Sequence, residues 1–194
     1  MRLLLVGPPG SGKGTQARLL HERLNFQHIG TGDLLREAIK RNTPAGQHAK
    51  PFVDQGSLVP DTIVNEMVEE LMSGKEHPDH FVLDGYPRTL TQATFLDGLL
   101  QRVHLELDAV VHLDVADEII IERLAGEQGP PSDRGERSDD NEETIRRRLK
   151  IYHDNHDKIL DHYENQGLVR KVPATESIET VYKKIVEVIT STAS

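Results

Sequence analysis

A glycine-rich loop wedged between an apolar run and a helical segment constrains this chain more than any other feature. Leu3–Val6 is continuously apolar, and Gly7-Pro8-Pro9-Gly10-Ser11-Gly12-Lys13-Gly14-Thr15 follows it directly. The spacing satisfies G-x-x-x-x-G-K, and a strand before and a helix after are the context that pattern requires. Glycines let the backbone curl until successive N–H groups point at phosphate oxygens, at the positive end of the helix dipole. Lys13 then reaches the β- and γ-phosphates. A glycine-rich turn with a chance lysine does not account for strand, spacing, lysine and helix together. One departure is informative: Gly14 stands where Ser or Thr usually follows the lysine, and Thr15 comes next.

Five short runs read as strands: Leu3–Val6, Gln27–Ile29, Phe81–Leu83, Ala109–Leu113 and Leu168–Val172. The first, third and fourth are almost wholly apolar, the pattern of strands covered on both faces of a parallel sheet. Segments of helical period lie between them. Gly12–Leu24 groups Ala17, Leu20 and Leu24, and Asp61–Met72 groups Ile63, Met67, Val68 and Leu71. Val181, Ile185 and Ile189 share a face near the end. Alternating strands and helices predict an α/β fold of one domain (1–194), with ligands at the carboxyl ends of the strands. Two stretches interrupt the alternation. Residues 30–59 hold two successive helices broken at Thr43-Pro44, and Gly126–Gly135 reads as a Gly/Pro-rich loop. Inserts at that edge of a sheet are expected to cover substrate.

Composition excludes several classes. The net charge of −9 argues against a nucleic-acid or anionic-membrane binder, because both need a basic face. Without cysteine there is neither a disulfide nor a thiolate metal site, and the ten histidines have no metal-ligand spacing. No membrane-length apolar run or secretory leader pattern is present, so a cytoplasmic protein is expected.

Two further motifs sit where strands end. Gly30-Thr31-Gly32-Asp33-Leu34-Leu35-Arg36 puts Asp33 in a helix's first turn, where the dipole favours it, and Arg36 one turn later. Taken alone, Arg36 is a weak signal, since an arginine in the second turn of a helix is usually a solvated side chain. Asp84-Gly85-Tyr86-Pro87-Arg88 begins at the end of an apolar strand, a poor place for a carboxylate unless it faces a metal or a donor. Asp84 is a candidate Mg²⁺ ligand through water, or else a turn carboxylate. Arg88 is a candidate bidentate phosphate ligand.

GKGTQ, TGDLLR, QGSLVPD (Gln55–Asp61), DGYPR and Gln92 occur in this order and at nearly this spacing in adenylate kinases, and the chain resembles that family, in its short-lid form. The resemblance implies a P-loop nucleoside-triphosphate-hydrolase-like fold: a five-stranded parallel sheet, helices on both faces and two mobile inserts. Those inserts are an AMP-binding segment (30–59) and a short lid loop (124–136). It implies a transferase that moves phosphate reversibly between Mg-ATP and AMP, giving two ADP and keeping adenine nucleotides in balance. Gly10, Ser11, Gly12, Lys13, Gly14 and Thr15 would hold ATP, with Mg²⁺ kept mainly by phosphates, waters and Asp84, and no zinc. Arg36 and Arg88 would bind the AMP phosphate, while Thr31, Ser57, Leu58, Val59, Gly85, Tyr86 and Pro87 would line the AMP pocket. Gln92 would read adenine, pairing with its N6 donor and a ring acceptor. Pyrimidine-nucleotide relatives tend to carry Ala at the Thr31 position and Asn at the Gln92 position, so these residues favour AMP. Gly30 departs from the family's usual Ser.

The helix after the loop begins near Arg137-Ser138-Asp139-Asp140, with Glu143 at capping-box spacing from Asp140. Arg146, Arg147 and Arg148 cannot share one face, since successive helical residues are ~100° apart. Arg148, beside Ile145 and Leu149, is expected to point inward. By resemblance, Arg137 and Arg148 contact the exchanged phosphates, Asp139 and Asp140 hold the lid arginines, and Arg123 covers the ATP adenine. The donor base is read mostly by backbone near Pro173–Glu176, with Glu176 in the ATP set. The family usually has a second arginine four residues after Arg123. Here Glu127 stands instead, and Arg134 is expected to take its part. Lys13, Arg88, Arg137 and Arg148 make up the expected catalytic set, in a monomer that binds ATP, AMP and ADP. The rivals are a pyrimidine monophosphate kinase, a small-metabolite kinase and a non-catalytic nucleotide sensor. The sensor would be expected to lack Lys13 or the central arginines.

Overall fold

The computed structural model describes residues 1–74, 78–125 and 142–191. Strands β1 (Arg2–Val6), β2 (Gln27–Gly30), β3 (Phe81–Asp84), β4 (Ala109–Asp114) and β5 (Val169–Pro173) form one parallel sheet in the order β2-β3-β1-β4-β5. All five lie where the sequence predicts strands. The alternation along β1 explains why its run is apolar throughout. Leu3 and Leu5 enter one core cluster, while Leu4 and Val6 enter the cluster on the other face. Both layers therefore need apolar partners. Leu3 and Leu4 are fully buried, and each such side chain contributes roughly 1.5–3 kcal/mol.

The connecting helices are α1 (Lys13–Leu24), α2 (Thr31–Lys40), α3 (Pro44–Asp54), α4 (Asp61–Met72), α5 (Leu90–Arg102), α6 (Asp117–Ala125), α7 (Glu142–Glu164) and α8 (Ile178–Thr190). Ala17 and Leu20 of α1 pack with Val181, Ile185 and Ile189 of α8, as the helical period predicts. Leu24 does not join them and is 38% exposed. At Asn25 the chain turns into a left-handed conformation (φ 56°) that ends α1 and leaves Leu24 on its rim. The buried row of α4 is Val64, Val68 and Met72, whereas Ile63, Met67 and Leu71 are half-buried beside it. The expected face is thus rotated by one residue.

Helices α2 and α3 follow each other without a strand, as residues 30–59 predict. Thr43 caps α3 by accepting the Gly46 N–H (3.1 Å), and Pro44 takes the first helical position, where no donor is needed. Gly46 lets the two helices meet: a Cβ there would lie 2.1 Å from the Ala38 carbonyl oxygen. Helix α7 serves both layers, with Ile145 and Leu149 in one cluster and Ile159 and Tyr163 in the other.

Register aligns the carboxyl ends of three strands, Leu5 pairing with Asp84 and Asp84 with Gly30. The loops that begin at Gly7 and Gly85 and the helix α2 that begins at Thr31 therefore leave from one edge. The neighbours β1 and β4 connect to β2 and β5 at opposite edges of the sheet, the arrangement that opens a crevice where the strand order reverses.

Candidate active site

The loop Gly7–Gly12 runs from β1 into the first turn of α1, which contains no acidic side chain to compete for an anion. Lys13 bends back across it, its Nζ donating to the Gly7 and Pro8 carbonyls at 2.8 Å each. Ser11 is buried beneath the loop. The ammonium is thereby held over the concavity that the loop amides surround.

Asp84 stands next to this loop at the end of β3. Burial alone would raise its pKa, but His28, Lys13 and Arg88 outweigh that and hold the carboxyl below its usual range. His28 Nε2 lies 3.8 Å from Asp84 Oδ2, beyond hydrogen-bond length, so its effect is electrostatic at that distance. The chain comes close here because residue 14 is glycine: a Cβ would sit 3.3 Å from Asp84 Oδ2. An ionised carboxylate facing a phosphate loop across so narrow a gap suits a hydrated divalent cation. Among the described residues, no three His, Asp or Glu side chains gather as a metal site.

The next loop along the edge holds a closed polar network. Thr31, buried, donates its hydroxyl to the Gly85 carbonyl at 2.9 Å. Arg88 Nε donates to the same carbonyl at 2.8 Å. Gly85 adopts φ 79°, and a Cβ would come within 3.1 Å of both Thr31 Oγ1 and Arg88 Nη2, so only glycine suits this position. Gln92 is buried at 2% exposure in the first turn of α5. Its Oε1 accepts the Arg88 N–H at 2.7 Å, and its Nε2 donates to Asp61 Oδ1 at 2.8 Å. Tyr86 lies beneath, donating its hydroxyl to Asn65 Oδ1 at 2.6 Å.

Three arginines converge above this network. Arg88 stands in a cleft that solvent reaches but protein surrounds. Burial lowers its pKa, Asp84 raises it, and the charges of Arg148 and Arg36 lower it again. Three cations gathered together form a site that a phosphate would neutralise. Arg36 forms an ion pair with Asp33. Arg148 is half-buried while Arg146 and Arg147 are exposed, as the helical spacing predicts. Arg147 instead donates to the Gln55 carbonyl at 2.8 Å, which ties α7 to the end of the α2–α3 segment. Ser57, Leu58 and Val59 follow directly, with Val59 buried.

At the other end of the sheet edge, Arg123 Nη2 donates to the Ala174 carbonyl at 2.8 Å, beside the Pro173–Glu176 segment. Glu176 pairs with Lys184. Arg134, Arg137, Glu127, Asp139 and Asp140 lie outside the described residues, as do the cap expected at Asp140 and nearly all of the 124–136 loop. The described candidates fall along one edge, in two groups around Lys13. Sequence reasoning misses Asp61 and His28. Asp61 lies at the end of a motif and the start of a helix, and its link to Gln92 spans elements that no local pattern connects.

The sequence matches the family model described as adenylate kinase over residues 5–168. Over 98% of this chain it is 43% identical to the adenylate kinase of Chloroherpeton thalassium, covering 99% of that protein. It is 43% identical to the adenylate kinase of Stenotrophomonas maltophilia, covering 97% of this chain and 99% of the relative. Adenylate kinase 1 of a Nostoc species is 44% identical over 93% of this chain and 94% of its own.

Proposed function

The chain belongs to the adenylate kinase family, and from that premise we propose how its residues share the two nucleotides. The reaction is phosphotransfer from ATP to AMP, giving two ADP. The observation that carries the assignment of roles is the meeting of the Lys13 loop, Asp84 and the Arg36–Arg88–Arg148 group along one edge.

ATP lies with its phosphates in the Gly10–Thr15 amides and under Lys13, and its base lies between Arg123 and the Ala174–Glu176 backbone. The AMP phosphate sits on Arg36 and Arg88. Thr31, Ser57–Val59 and Gly85–Pro87 wall its nucleoside, and Gln92 reads the adenine. The attacking oxygen belongs to an anionic phosphate, so no protein nucleophile and no general base is required. What the protein supplies is alignment and neutralisation of spreading negative charge. Lys13, Arg88, Arg148 and Arg137 carry that task. Mg²⁺ bound with ATP supplies further charge neutralisation on the phosphates, and Asp84 would hold it through water.

Water in an open cleft would hydrolyse ATP, so the 30–59 and 124–136 segments close before transfer, and reopening or ADP release limits turnover. Arg134 replaces the cation absent at Glu127. The protein acts as a cytoplasmic monomer, and its net charge of −9 supports binding to neither nucleic acid nor an anionic membrane.

The test is ADP formation from Mg-ATP with AMP, UMP, CMP or GMP, in wild type and in Lys13→Ala and Arg88→Ala. Turnover with AMP alone, abolished in both variants, is expected. Preference for UMP or CMP would overturn the roles of Thr31 and Gln92.

A further inference from the structure

We infer that Asp61, acting through Gln92, sets the enzyme's choice of a 6-aminopurine over a 6-oxopurine acceptor. The inference rests on the proposal that Gln92 reads the AMP base. A glutamine amide can face a base in two orientations related by a flip. With the oxygen toward position 6 and the NH₂ toward ring N1, it matches adenine, which offers a donor at N6 and an acceptor at N1. Flipped, it offers a donor toward position 6 and an acceptor toward N1. That matches inosine or guanosine monophosphate, where O6 accepts and N1–H donates. The backbone position of Gln92 does not distinguish the two.

Two neighbours do. Arg88 N–H, a donor only, bonds Gln92 Oε1 at 2.7 Å. The Asp61 carboxylate, an acceptor only when ionised, takes the Nε2 hydrogen at 2.8 Å. A flip would set donor against donor at Arg88 and oxygen against oxygen at Asp61, inside a site where Gln92 is 2% exposed and water cannot substitute. One lone pair and one N–H of the amide remain for the base. Asp61 is itself held: its Oδ2 accepts the Thr89 hydroxyl at 3.0 Å, and Thr89 Oγ1 accepts the Gln92 N–H at 3.1 Å. The ring Asp61–Thr89–Gln92 closes on itself, so carboxylate and amide fix each other.

A helix-dipole role alone would also place an acidic residue in the first turn of α4. That role predicts a change in stability and none in acceptor choice. Asp61 is therefore a positioning residue, separable from a structural one by its readout.

The experiment measures kcat/KM for AMP and for inosine monophosphate in wild type, Asp61→Asn, Asp61→Ala and Gln92→Ala, with Tm for each. The ratio of the two kcat/KM values is independent of the fraction of folded enzyme, so a destabilised variant still reports. In Asp61→Asn the new amide can turn either end to Gln92, leaving Arg88 N–H as the remaining lock. The AMP-to-inosine ratio is expected to fall about tenfold, mostly through KM for AMP, because a charge-assisted hydrogen bond no longer opposes the flip. Asp61→Ala should lower it similarly. An unchanged ratio in both Asp61 variants, with the ratio reduced in Gln92→Ala, overturns this inference and leaves base reading by Gln92 standing. An unchanged ratio in Gln92→Ala overturns both.

Discussion

The proposed acceptor half of the site, built on β2 and β3, and the proposed donor half, built on β4 and β5, differ in how their polar groups are held. On the acceptor side, Thr31, Gln92, Asp61 and the Gly85 carbonyl form a buried network in which each named donor has an acceptor. On the donor side, the described contact is one arginine on a main-chain carbonyl, Arg123 to Ala174. The difference teaches where discrimination can be strict. A buried side chain left without its partner costs about 1–3 kcal/mol, whereas main-chain groups near solvent can turn to water instead. With the proposed assignment, a strict acceptor preference and a looser donor preference are the expected outcome.

The largest effect should come from Arg88→Ala, which removes a proposed ligand of the acceptor phosphate. It is expected to lower kcat/KM for AMP by about 10³ and to leave the Kd for ATP, measured by titration calorimetry, nearly unchanged. Equal damage to both nucleotides would break the division into halves.

A stability effect belongs to the donor half. His112 of β4 is pushed down to about 4 by burial and by the neighbouring charge of His156, although Asp114 opposes this. His112 Nε2 lies 3.1 Å from His156 Nε2 and 3.4 Å from the Tyr152 hydroxyl. The unfolded chain takes up a proton near pH 6.5 that the native state refuses. Stability from this group is therefore full above pH 6.5 and lost as the pH falls toward 4, by at most about 3 kcal/mol. Urea midpoints at pH 7 and pH 5 should differ less in His112→Gln than in wild type. An equal difference would exclude His112 as the cause.

Smaller changes sharpen the comparison. Thr31→Ala removes one of the two donors on the Gly85 carbonyl, leaving Arg88 Nε, and should lower kcat/KM for AMP about tenfold, with KM for ATP unaffected. Arg123→Ala should raise KM for ATP by about fivefold and spare AMP. The smallest effect is expected from Asp108→Asn at the far end of the sheet, where Asp108 pairs with Arg2 at 2.9 Å. Both side chains are partly exposed, so the loss should be about 1 kcal/mol or less, with neither KM moved. A KM change there would mean that the two ends of the sheet are coupled.

Much of this is legible in the sequence. Strands buried on both faces must be apolar throughout, so β1, β3 and β4 stand out. Phosphate loops need glycine, lysine and a helix start at fixed spacing, so Gly7–Thr15 does too. The half-buried face of α4 was less legible, because Ile63, Met67 and Leu71 form as good a row as Val64, Val68 and Met72. Packing against α5 and the sheet selects between them. Least legible were the pairings of Asp61 with Gln92 and of His112 with His156, each joining residues more than thirty positions apart. Local periodicity carries no information about such meetings; topology creates them.

The strand order β2-β3-β1-β4-β5 has a consequence for how enzymes of this kind diverge. The phosphate loop hangs from the middle strand, and in the proposed assignment each base is met by side chains or backbone from its own flank. A lineage can therefore change which acceptor it serves through substitutions near Thr31, Asp61 and Gln92 alone, without disturbing the donor or the shared hinge of chemistry between them. Acceptor and donor preference become separately heritable traits of a single chain.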